Sequence, residues 1–488
     1  MTTARAIYHS TFTQLLLITA VALALGYVIA VTGINGAAGL LALPFGVAYI
    51  ALLSKNPRIG LYTTMHIGFV SNGIGRYSDA PLGLSIDIVL LLTLIITFSK
   101  LQKRNYRYLK NPFVWGIAVW TVFTILEVVN PESRSMAAWF YAVRGTSFYM
   151  IQLIILTILL LNDRKNLDTF LRIWIGWSVL AALWALKQTY IGLNSAEQAW
   201  MAAGAYKTHM LFGKLRAFSF YSDAGQFGAA MGHILLVCII LAIGPFSLKR
   251  RLMLWALCIL FFWAMAISGT RGAMFVPLSG ILVYLVLSKN FKILSIGVIV
   301  LSLLFCLLKF TNVGSGNYQV QRMRSGLNPN DPSLQVRLNN QAKLKVYLAS
   351  RPLGGGIGAS GYWGLRFSPN SFLAQTPTDS WYVKIWADTG IVGLYLHIAM
   401  ILVFVVTGGF LIFKMKNDPG LRQINAALFA GFVGIAFASY GNSVIGQTPT
   451  SVVVFMSIGF IWLIYRWDKG IKIKKTEEEN LIEESIEN

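Results

Sequence analysis

Four short segments hold the residue types best suited to chemistry. In 268–273 (SGTRGA), Arg271 lies beside Gly272 and two residues after Gly269. Such small neighbours let the backbone approach a bulky ligand, and a guanidinium is the preferred two-point donor to phosphate. In 215–228 (LRAFSFYSDAGQFG), Arg216 and Asp223 precede an apolar run, with His209 just upstream. In 351–361 (RPLGGGIGASG), Arg351 and Pro352 open a glycine-rich run. That run fails as a dinucleotide signature, since no strand precedes it and no suitable helix follows. It reads as a flexible loop crossing close to a substrate or another helix. In 376–394 (TPTDSWYVKIWADTGIVGL), Asp379 stands near Trp381 and Tyr382, where a carboxylate suits general-base work on a sugar hydroxyl. Arg337 lies on the helix-like run 333–350, which Pro352 stops.

Each of these has a plainer reading that the residues leave open. Arg271 is equally an arginine snorkelling to lipid headgroups, Arg216 an interfacial partner of Asp223, and Asp379 the N-cap of a membrane-entering helix.

The elements that must position these residues are membrane helices. The chain has 488 residues, 56% of them hydrophobic and 12% charged, with a mean hydropathy of +0.62. Soluble domains carry about 25% charged residues, so a soluble enzyme, a disordered chain and a disulfide scaffold are excluded. Cys238, Cys258 and Cys306 all sit in apolar stretches and read as small hydrophobes. The expected fold is all-α: a polytopic membrane protein with about 12–14 transmembrane helices and a large external helical loop. Residues 1–310 carry helices 1–11, 311–388 the loop, 389–466 the last three helices and 467–488 a basic-then-acidic tail. The third span, 59–76, is the weakest. It is retained because losing it would put the basic 100–110 cluster outside, against the positive-inside bias. Both termini are then cytoplasmic, no cleavable signal peptide is expected, and no internal repeat is visible.

On this topology three external segments are too long for turns: 130–146, 191–224 and 311–388. The net charge of +22 extends to these external segments, where positive-inside logic does not apply. An anionic ligand with phosphate groups is the favoured reason; scattered surface lysines are the other.

In their order these segments resemble the O-antigen ligase and O-antigen polymerase superfamily of bacterial membrane glycosyltransferases. The resemblance covers about 214–394. Arg216, Phe218, Phe220, Asp223 and Phe227 match an arginine with a phenylalanine-rich stretch, and SGTRGA matches a Ser-x-x-Arg-Gly-Ala turn. Arg337, Pro352 and GGGIG match an arginine-bearing loop helix and a proline with Gly-x-Gly. Asp379, Ser380, Asp388, Gly390 and Gly393 occupy the places of His-Asn, an acid and Gly-x-x-Gly. Asp379 thus replaces the family's histidine, Ser380 its asparagine, and Gly225 an asparagine after Arg216.

The resemblance implies transfer of a glycan from undecaprenyl diphosphate at the periplasmic face of the inner membrane. The acceptor is lipid A-core for a ligase and another lipid-linked repeat for a polymerase. It implies a metal-independent, inverting reaction among membrane lipid, with no cofactor and no nucleic acid. Loop 32–35 (TGIN) carries no acid of the kind that holds a divalent ion in many polytopic glycosyltransferases. Arg216 and Arg271 would then stabilise the leaving diphosphate and Asp379 would serve the acceptor hydroxyl, with His209 as an alternative base. Arg337, Asp223 and Arg351 complete the expected substrate-binding set. His66, His233 and His397 are expected to make helix-to-helix hydrogen bonds. Trp139, Trp200, Trp363 and Trp381 are expected in the interfacial belt, with stacking on sugar rings the other reading. A lipid-linked oligosaccharide flippase, or a non-catalytic partner of a polysaccharide machine, are the competing readings.

Overall fold

The computed structural model describes residues 43–77, 82–100, 107–288, 291–314, 316, 318–326, 328 and 330–487. The expected span at 13–31, the start of that at 36–53, loop 32–35 and much of the basic 100–110 cluster lie outside the described residues, as do the side chains of the tail. Residues 1–60 and 61–488 form two compact units. The first contributes helix α1 (Leu43–Lys55).

The described chain is almost wholly helical. After α2 (Arg58–Ile74) come α3 (Leu82–Ser99), α4 (Pro112–Leu126), α5 (Met136–Val143), α6 (Tyr149–Leu160) and α7 (Arg164–Tyr190). Short α8 (Ser195–Trp200) and α9 (Tyr206–His209) precede a two-residue hairpin, β1 (Met210–Leu211) with β2 (Lys214–Leu215). Then follow α10 (Ala224–Ala242), α11 (Leu248–Ile267), α12 (Phe275–Leu287) and α13 (Phe291–Phe310). The large loop holds α14 (Tyr318–Ser325), α15 (Pro332–Leu348), α16 (Gly361–Phe367) and α17 (Phe372–Gln375). Helices α18 (Trp381–Lys414), α19 (Pro419–Ala438) and α20 (Thr450–Glu487) close the chain.

Among the described residues, nine helices are long and apolar enough to cross a bilayer, so the chain is a multi-pass membrane protein. Several spans differ at their ends from the sequence expectation. The one expected at 147–161 begins at Met136 and passes through a wide turn, Arg144–Phe148. Hydropathy discounts that turn because of Arg144, whose charge is met by an ion pair with Asp87. The span expected from 389 begins at Trp381, so segments 130–146 and 311–388 are both partly spanning helix.

Small residues set the packing. Helix α10 is enclosed along nearly its whole length. A side chain on Gly232 would come 2.9 Å from the Ala273 carbonyl, and one on Gly228 3.1 Å from the Ala273 methyl. The 268–273 turn therefore lies directly against α10, as small residues allow in membranes. Likewise a side chain on Gly434 of α19 would come 2.6 Å from the Val276 carbonyl of α12. Helix α18 breaks at Gly390 (φ 64°, ψ −166°), a conformation open essentially to glycine alone.

His66 accepts from Trp177 Nε1 (2.8 Å) between α2 and α7, as expected. His397 instead accepts from Trp381 (2.9 Å) within α18, across its break. His233 Nε2 makes no hydrogen bond among the described residues; its ring packs on Trp174 at 4.7 Å. Trp381 is buried and so stands apart from any interfacial belt.

Candidate functional site

The site is built on the 216–223 segment and the 268–271 turn. Gln188 of α7 fixes the first by accepting from the Phe218 and Ser219 amides (3.2 and 2.7 Å). Arg76, beyond the end of α2, donates to the carbonyls of Ser219 (2.5 Å) and Tyr221 and lies 4.6 Å over both the Trp200 and Phe218 rings. Glu197 completes this support in a capping box with Asn194. Burial works to raise its pKa, but hydrogen bonds from Asn194, Gln188 and Trp184, with Lys187 nearby, outweigh it and hold the carboxyl below its ordinary range.

Arg216 reaches the turn with two donors, Nε to the Ser268 carbonyl (3.2 Å) and Nη2 to the Thr270 hydroxyl (2.8 Å), while Nη1 donates to the Thr208 carbonyl of α9 (2.8 Å). Gly269 takes a left-handed φ of 57°, and its Cα hydrogen faces the Arg216 stem. One residue past Thr270, Arg271 pairs with Asp331 and donates to Ser325 Oγ (3.3 Å). Arg322 of α14 donates to the Gly269 carbonyl from Nη2 (3.3 Å). Beside them opens a shallow cleft lined by Gly269, Thr270, Arg271, Arg322 and the methionines 265, 274 and 323.

Asp223 caps α10, accepting from Gln226 N (2.9 Å) and Ser222 Oγ (2.8 Å). His209 is buried, and its Nε2 accepts from the Ala224 amide (3.2 Å). Burial lowers its pKa, but the lone pair that a general base would use is already engaged, so the geometry speaks against His209 as the alternative base. Gly225 stands where the family has asparagine. The Asn442 amide lies 3.3 Å from where a Gly225 Cβ would be, and 3.1 Å from one at Gly272. A different part of the chain thus brings a carboxamide to the same place.

Asp331 is the N-cap of α15, accepting from Leu334 N (3.1 Å), with Pro332 in the first turn. Burial opposes its charge, yet the hydrogen bond and charge of Arg271 prevail and hold its carboxyl below the ordinary range. Six residues along α15, about 9 Å, Arg337 faces Asp379 at 3.6 Å. Asp379 is not the cap of α18: Ser380 occupies that position, and Asp379 holds a left-handed φ of 46°.

The glycine-rich run is a clasp rather than a phosphate loop. The amides of Gly358 and Ser360 donate to buried Asp388 (3.2 and 3.0 Å), which also accepts from Lys384 (2.5 Å). Gly355 N donates to the Ala387 carbonyl (3.0 Å), locking the run to the broken turn of α18. Arg351 sits at the far end of α15, paired with Glu132 at 3.1 Å.

Thus Arg216, Arg271, Asp223 and His209 gather at one turn, Arg337 and Asp379 meet farther along α15, and Arg351 is remote. Sequence reasoning missed Arg76, Arg322, Asp331 and Asn442. Only Asp331 left a local signal, an Asp-Pro at a helix start. Among the described residues no group of three His, Cys, Asp or Glu side chains is arranged to hold a metal ion.

Residues 256–398 match the O-antigen ligase family, a stretch that contains the turn, α15, the clasp and Asp379. The comparisons bear out the resemblance to the O-antigen ligase and polymerase superfamily. One relative, described as an O-antigen polymerase of Salmonella muenchen, is 26% identical over 190 residues, 38% of this chain. The chain spans 45% of that relative's length. The Arg216 segment lies outside the O-antigen ligase match, yet its side chain is bonded into the matched turn.

Proposed function

We propose that the chain is a membrane glycosyltransferase of the O-antigen ligase or polymerase type. Its donor is a glycan on undecaprenyl diphosphate, presented at the periplasmic face of the inner membrane. Its acceptor is lipid A-core or a second lipid-linked glycan. The observation that carries this reading is the convergence of Arg216, Arg271 and Arg322 on one turn, beside a cleft lined by cations and methionines. Such a lining suits a diphosphate joined to an apolar chain: guanidinium groups for the charge, polarisable side chains for the first isoprene units.

In the reaction an acceptor hydroxyl oxygen attacks the anomeric carbon, and the bond from that carbon to the diphosphate oxygen breaks. The leaving diphosphate gains charge, which fixed guanidinium donors stabilise. Asp379, placed by Arg337, takes the proton of the attacking hydroxyl. Attack opposite the departing group inverts the anomeric centre. Arg216 is held by three protein acceptors and so orients the turn, leaving Arg271 and Arg322 to face the cleft.

The test is transfer of long glycan in membranes of a deletion host carrying Arg216→Ala or Arg271→Ala. Both variants should reach the membrane in normal amount and lose transfer by at least 100-fold, about 2.7 kcal/mol of transition-state stabilisation. Retained glycan product in both would sink the arginine clamp. In the deletion host, polymer left on its lipid marks a ligase, and accumulated short lipid-linked units mark a polymerase. Short units trapped on the cytoplasmic leaflet would favour a flippase instead.

A further inference from the structure

A second, shallow cleft lies at the opposite end of α15 from Arg271. Its walls are the 132–135 turn, the clasp and the 368–373 stretch, with Tyr347 of α15 between them. Sixteen residues separate Tyr347 from Asp331, about 24 Å along the helix.

The cleft is rigid. Asn130 ties the 130–133 turn to the clasp by donating to the Leu353 carbonyl (2.8 Å), and its own carbonyl accepts from Glu132 N (2.9 Å). Arg351 is held by Tyr347: Nη1 donates to the Tyr347 carbonyl (2.9 Å) and the guanidinium lies 4.2 Å over its ring. Phe372 stacks on the same ring at 4.5 Å.

The groups facing the cleft are less committed than their supports. Among the described residues, Glu132 Oε1 and the hydroxyls of Ser133 and Ser368 make no hydrogen bond, and Arg134 makes no ion pair. The result is a row of donors and acceptors of both charges over an apolar floor that includes Ala138, Ile357 and Leu373. A simple anion would meet the Glu132 carboxylate. A polyol offers a donor and an acceptor at each hydroxyl and matches the row.

We propose that this cleft is a saccharide subsite, gripping the glycan several sugars away from its diphosphate end. The inference deepens the transferase reading and rests on it for the identity of the chain that passes through. Glu132, Arg134 and Ser368 supply the contacts; Arg351 positions Glu132.

The test is titration of the full-length protein in detergent with the host's own repeat oligosaccharide, released from its lipid and long enough to span several sugars. Wild type should bind, by saturation-transfer NMR or calorimetry. Glu132→Gln and Ser368→Ala should each weaken binding at least tenfold, whereas Arg271→Ala should bind the lipid-free sugar as wild type does. No binding by wild type, or equal binding by both cleft variants, overturns the subsite. Binding that is lost in Arg271→Ala but kept in both cleft variants assigns the sugar to the arginine turn, again against the proposal. Failure of the transferase reading is separate: it appears as absent transfer in the membrane assay, whatever the titration gives.

Discussion

On the proposed function, an incoming diphosphate would have to displace Asp331 from Arg271. The pair is partly buried, and Asp331 also caps α15. Asparagine caps a helix about as well as aspartate, so Asp331→Asn removes the charge and keeps the cap. The expected outcome is about fivefold tighter binding of inorganic pyrophosphate by calorimetry, the equivalent of about 1 kcal/mol. Weaker binding would make Asp331 a support for Arg271 rather than a competitor. His209 gives a second prediction. Burial sets its folded pKa below the ordinary 6.5, so the folded state binds fewer protons than the unfolded one. Its contribution to stability is complete above pH 6.5 and is lost as pH falls through that value towards the folded pKa. The melting temperature should be flat above about pH 7 and fall below about 6.5. His209→Gln, which retains an acceptor for the Ala224 amide, should flatten that fall. An unchanged fall would assign it to other groups.

The broken turn of α18 governs the loop above it. Gly390 has backbone angles that only glycine tolerates, and a side chain there would overlap the Pro352 carbonyl. Gly390→Ala should destabilise the protein by about 3 kcal/mol, read as a lower melting temperature, and should release the clasp to proteases in the 352–360 run. Resistance equal to wild type would remove the clasp role. Sequence reached part of this. Spans follow from apolar length, and SGTRGA stood out because its small residues let the backbone approach a bulky ligand, although snorkelling accounted for its arginine equally well. The loop helix was legible from its apolar spacing and from Pro352. The partners were not: Asp331 meets Arg271 across 60 residues, Arg76 meets Ser219 across 143, and no local periodicity encodes such pairings. The glycine run was expected to cross close to a substrate or another helix, because glycine serves any close backbone approach, and here the approaching backbone is α18. Span ends slipped wherever a paired charge, such as Arg144 with Asp87, lowered hydropathy without leaving the helix.

Across the whole molecule the charge is strongly positive, and the proposed site meets its phosphate with arginine alone. Transfer in washed membranes should therefore persist in excess EDTA; a loss restored by magnesium or manganese would overturn the metal-independent reading. Salt bears on the same point. Pairs such as Arg337 with Asp379 are about one-third to one-half exposed and are screened at high ionic strength.

The seating of the 268–273 turn on α10 has one more effect. With Gly228 and Gly232 leaving no gap against Ala273, the turn cannot ride up or down relative to the most enclosed helix of the bundle. The depth at which Arg271 waits is thus a property of the protein, whereas the depth of a lipid's phosphate belongs to the bilayer. The two coincide at one hydrocarbon thickness, and mismatch costs fractions of a kcal/mol per Å. Reconstituted into bilayers of graded acyl length, the protein should work best at one thickness and fall away on both sides, with thin and thick membranes failing for opposite reasons.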